Sequence, residues 1–82
     1  MIMVDVYVPV LGQTYDFSLD EMVRLEDITE ELADMIGQKE QSELQGDIRG
    51  LLLCSETDGR VLPSGSTLSA CGIRNGHRLI LI

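Results

Sequence analysis

The 82-residue chain has fourteen acidic residues against six basic ones, a formal net charge of -8, and 44% of its residues are hydrophobic. Such a charge repels nucleic-acid phosphates and anionic lipid headgroups, so no nucleic acid and no bare membrane surface is expected as a partner. Apolar runs such as Leu51-Leu52-Leu53-Cys54 fall far short of the ~20 residues that cross a bilayer, so no direct membrane insertion is expected.

A chain of this size has room for one domain over residues 1–82, with one core and one small site. Its N-terminus has no basic region followed by an apolar stretch, and the composition reads as cytoplasmic. From Ile2 to Val8, the residues Ile2, Val4, Val6 and Val8 alternate with Met3, Asp5 and Tyr7, the period-two pattern of a strand with one buried face. Pro9 to Gln13 reads as a turn, because Pro9 cannot donate a ladder hydrogen bond and Gly12 tolerates positive φ. A second strand follows, with Tyr15, Phe17 and Leu19 on one side and Thr14, Asp16 and Ser18 on the other.

Between Met22 and Ile36 the period changes: Leu25, Ile28, Leu32, Met35 and Ile36 line one stripe of a helix, with Glu26, Asp27, Glu30, Glu31 and Asp34 on its other faces. The start is predicted near Val23, with Ser18 and Glu21 as a competing capping box, and Gly37 as the stop. Gln38 to Arg49 is nearly devoid of apolar residues and reads as an exposed connection. Leu51 to Ser55 is a third strand, and the Asp58-Gly59 pair turns the chain into a short fourth strand through Val61 and Leu62. Ser66 or Thr67 caps one helical turn through Leu68 to Cys71, ended by Gly72. Asn75-Gly76 then leads into a last strand, Arg78 to Ile82.

Strand, strand, helix, strand, strand, strand is the order of an α+β fold, with one helix covering one face of the sheet. The closing run Thr67-Leu68-Ser69, Cys71-Gly72-Ile73, Asn75-Gly76-His77-Arg78-Leu79 looks like the end of ubiquitin. It is more closely similar to the ends of the YukD/EsaB family, small ubiquitin-like proteins of bacterial type VII secretion, and also resembles the ubiquitin-like cytosolic domain of EccD. The resemblance implies a ubiquitin-like β-grasp, a five-stranded mixed sheet packed on one α-helix. In function it implies an accessory or regulatory component whose partner is a protein, in the form of cytosolic domains of a secretion-machine membrane component or ATPase.

Chemistry beyond binding finds little support. A ubiquitin-type modifier or sulfur carrier needs a flexible tail ending in Gly-Gly, whereas this sequence closes on Leu79-Ile80-Leu81-Ile82, so a non-conjugated protein is expected. A carrier or modifier whose tail is missing here is one alternative, and a self-associating structural domain is another. His77 is the single histidine and reads as an exposed residue at a strand start, without triad spacing around it. Cys54 and Cys71 read as buried or half-buried thiols, too few with His77 to hold zinc, and Ser64-Gly65-Ser66 is too short for a phosphate loop. No catalytic residue, cofactor or metal site is therefore expected.

The sharpest feature is an excess of apolar residues over what one sheet face can bury. If Leu79 and Leu81 point to the helix, Ile80 and Ile82 point away, and Leu51 and Leu53 inward leave Leu52 outward. Leu52, Ile80 and Ile82, with Val10 or Leu11 at the rim, form the predicted protein-binding patch, corresponding to the apolar recognition face of ubiquitin, which the chain resembles. A homodimer, or cover by the 38–49 connection, accounts equally well for such a patch. The acidic helix face is a second candidate surface, for a basic partner.

Overall fold

The computed structural model describes residues 1–39 and 52–82. Its elements are β1 (Ile2–Val8), β2 (Gln13–Leu19), α1 (Leu25–Lys39), β3 (Leu53–Ser55), β4 (Arg60–Val61) and β5 (Arg78–Leu81), and the strands join in the order β2-β1-β5-β3-β4. β1 runs parallel to β5, and the other pairings are antiparallel, so the sheet is mixed.

Alternation in β1 and β2 follows the sequence pattern. Val4, Val6, Val8, Phe17 and Leu19 are buried, and they share one core with Leu25, Ile28, Leu32 and Ile36 of α1. Leu53, Leu79 and Leu81 join that core from β3 and β5, and Leu62, Leu68 and Ile73 close it from the connecting segments. Thr29 is buried within the helical stripe, where its hydroxyl donates to the Leu25 carbonyl at 2.8 Å, while Met35 is only half-buried.

Two boundaries of the helix differ from expectation. α1 begins at Leu25 and not near Val23, because its first amides are met by a distant loop: Leu25 N–H donates to the Ser66 carbonyl at 2.8 Å and Glu26 N–H to the Ser64 carbonyl at 3.0 Å. Asp20 is drawn into a separate local turn, its side chain accepting from Met22 N–H at 2.9 Å. At the other end Gly37 lies inside α1, which continues to Lys39, so Gln38 and Lys39 are helical and not part of a connection. The rest of the predicted connection, and Leu51 of the predicted third strand, lie outside the described residues.

The cap before Leu68 is Thr67, whose Oγ1 accepts from Ala70 N–H at 3.1 Å. Behind it, Ile73 N–H donates to the Leu68 carbonyl at 2.9 Å and Gly72 N–H to the Ser69 carbonyl at 3.1 Å, with Gly72 at φ 77°. Those two bonds and the buried Leu68 and Ile73 make a Schellman closure, which aims the chain through Asn75-Gly76 into β5.

Candidate functional site: the outer face of the sheet

One helix covers one face, so the opposite face of the sheet is built from alternate residues of every strand. Register places them in rows. Tyr7 stands beside Ile80, Ile80 beside Cys54, and Cys54 beside Val61, so a largely apolar row crosses β1, β5, β3 and β4. Beyond the end of β5 the pairing continues for one more residue: Leu52 N–H donates to the Ile82 carbonyl at 2.6 Å, and Ile82 N–H to the Leu52 carbonyl at 2.9 Å. Leu52 and Ile82 are thus fixed opposite each other, 46% and 53% exposed, and Val61 is 51% exposed.

Next to the apolar row runs a charged one. Asp16, Asp5 and Arg78 are neighbours on β2, β1 and β5, and Glu56 follows β3. Arg78 is already engaged: its Nε lies 3.1 Å from a Glu56 carboxylate oxygen, its guanidinium 5.7 Å from the Tyr7 ring centre, and its Nη2 3.5 Å from Thr14 Oγ1. Asp5 and Asp16 face each other across β1 and β2, and among the described residues neither forms an ion pair with Arg78. Hydrogen bonding to the Asp16 carboxyl, then loss of hydration and the Asp16 charge, raise the Asp5 pKa above its ordinary 3.8, against a smaller lowering by Arg78.

Of the residues expected in the patch, Leu52, Ile80 and Ile82 share this face, with Ile80 half-buried between its neighbours. Val10, in the turn after β1, is 83% exposed. Leu11 from the same turn is partly buried against the core, which removes much of its side chain from any outer surface. Sequence reading missed Val61, Cys54 and Tyr7 as members of the face, although parity in the Asp58-Gly59 hairpin carried the signal for Val61. It missed the Asp5–Asp16 pair altogether, since that depends on the β1–β2 register.

Elsewhere, Glu26, Asp27, Glu30, Glu31 and Asp34 are all exposed on α1. His77 is half-buried and not exposed: its Nδ1 accepts from Arg74 N–H at 3.3 Å, and its carbonyl accepts from Asp5 N–H at 3.1 Å. Cys54 is half-buried and Cys71 buried, both as free thiols. Among the described residues, no helix is long and apolar enough to cross a membrane.

Residues 3–81 match the family described as "WXG100 protein secretion system (Wss), protein YukD". The chain belongs to the YukD family. No curated protein matches it. Among solved structures, this YukD-family chain is similar to the N-terminal ubiquitin-like domain in the 4931431F19Rik protein, with TM-score 0.76 and 20% identity over 99% of this chain and 72% of that one. It is also similar to ATBAG1, solved in complex with HSP70, with TM-score 0.75 and 13% identity over 100% of this chain and 40% of that one. At those identities the likeness is one of fold, and the fold is the ubiquitin-like β-grasp. The YukD-family chain spans well under half of ATBAG1.

Proposed function

We propose that this YukD-family protein is a protein-binding module of its secretion system, docking a partner on the outer sheet face through Leu52, Ile80 and Ile82, with Val10 at the rim. One arrangement carries the reading: Leu52 and Ile82 are locked side by side by two backbone hydrogen bonds, with about half of each side chain in water. Ile80 and Val61 extend that surface across the sheet. Covering apolar area yields roughly 25 cal/mol per Å², and the single described helix lies on the opposite face, so the gain is open to another molecule. Membership of a secretion-system family supports a component of that system as the molecule covered, and we take it to be a cytosolic domain of a membrane component, or an ATPase. A fold neighbour solved in complex with another protein is in keeping with a contact role.

The test is a photo-crosslinking residue at position 80, introduced in cells that carry the secretion system. Adducts with a cytosolic domain or ATPase of that system are expected, and Leu52→Glu is expected to abolish them. Adducts only with a second copy of the chain, or secretion-component adducts that survive Leu52→Glu, would overturn the reading.

A further inference from the structure

Resting on that docking reading, we infer that the partner covering the outer sheet face is a protein surface with an apolar centre and a basic flank, and that Asp5 and Asp16 select it by pairing with a lysine or arginine. The inference comes from what the face leaves uncompensated. Among the described residues, Asp5, Asp16 and Glu56 share the row with one cation, Arg78, and that guanidinium is held by Glu56 at 3.1 Å and by Tyr7 and Thr14. Glu56 is thereby paired, and the two aspartates are left directly opposite each other on neighbouring strands, where like charges destabilise a sheet, with only a smaller opposing influence of Arg78 on Asp5. A cation supplied from outside relieves that repulsion.

Geometry puts the cation within reach of the same partner that covers the apolar patch. Asp5 is level with Arg78, which opens β5 four residues before Ile82, a distance along the chain of roughly 13 Å at about 3.3 Å per residue. A single helix or strand laid over the sheet spans that separation. Charge also sorts the candidate occupants. A second copy of the chain would bring another net charge of -8 to the contact, and its outer face would offer the aspartate pair further carboxylates, since its own Arg78 is engaged. Nucleic acid and anionic lipid meet the same repulsion.

The probes are two synthetic amphipathic helices with identical leucine stripes, one flanked by lysines and the other by glutamates, titrated into the whole chain and followed by amide chemical shifts. The lysine helix is expected to shift Leu52, Ile80 and Ile82 together with Asp5 and Asp16. It should bind about tenfold more tightly than its glutamate twin, as two surface charge pairs would give, with the preference shrinking as salt rises. The Asp5→Asn, Asp16→Asn double variant is expected to erase the preference while keeping the apolar contact. If both helices bind the outer face equally, the charge inference fails and the docking reading stands. If neither shifts the outer face, or if sedimentation finds a dimer that Leu52→Glu dissolves, the docking reading falls with it.

Discussion

Asp5 and Asp16 face each other across β1 and β2 on a sheet face where Arg78 is already tied to Glu56. The pairing has a pH consequence. The Asp16 carboxyl beside it keeps Asp5 protonated to a higher pH in the folded chain than in the unfolded one, above the ordinary 3.8. A group with a raised native pKa contributes its full share of stability below the unfolded value, and that share is lost as pH rises through the native value. Asp5→Asn removes the titration. It should be indistinguishable from wild type in acid and more stable than wild type above that window, as urea unfolding at a series of pH values would reveal. A difference that does not vary with pH would mean that the two carboxyls do not interact. Nothing in the sequence around Asp5 announces this pair, because opposition of residues 5 and 16 is set by where the 9–12 turn closes. Leu52 and Ile82, by contrast, were legible from parity alone: their neighbours Leu53 and Leu81 had to enter the core.

Among the elements, those whose ends are fixed locally were legible, and those whose ends are fixed by distant groups were not. The turn from Thr67 to Gly72 belongs to the first kind: a threonine cap, a glycine at φ 77° and a buried residue after it are all written within seven positions. A β-carbon at Gly72 meets no atom within 4 Å, so only the left-handed backbone opposes a side chain there. Gly72→Ala should therefore cost about 1–2 kcal/mol, the penalty of that backbone region for an L-residue, measurable by thermal or urea unfolding. No loss of stability would mean that the closure relaxes elsewhere. The start of α1 belongs to the second kind. Its first amides find the carbonyls of Ser64 and Ser66, some forty residues away, so neither the Ser18–Glu21 pattern nor the apolar stripe marks Leu25 as the first residue. At the far end, Gly37 misleads because the roughly 0.5–1 kcal/mol it costs inside a helix does not forbid one, and α1 runs on to Lys39.

For the whole molecule, the described architecture has one helix for five strands, so among the described residues one sheet face is sealed by α1 and the other is not, and substitutions should divide sharply between them. Leu32 sits fully buried in the layer between α1 and the sheet. Leu32→Ala should cost roughly 2–5 kcal/mol, the loss of transfer energy plus a cavity that the close-packed neighbours cannot refill. On the open face, Leu52→Glu and Ile82→Glu should each stay within about 1 kcal/mol of wild type, because a carboxylate at a half-exposed position keeps its hydration. Ile80→Glu should fall between these limits. Tyr7 and Cys54 flank it in the same row and hold it half-buried, so a charge there loses part of its water. The order Leu32→Ala, then Ile80→Glu, then Leu52→Glu in urea unfolding would show that the exposed end of the outer apolar row, at Leu52 and Ile82, is not part of what holds the chain folded. Its side chains would then be free to serve a partner. If Leu52→Glu unfolds the protein as readily as Leu32→Ala, the row is structural, and the docking surface must be sought on the acidic face of α1 instead.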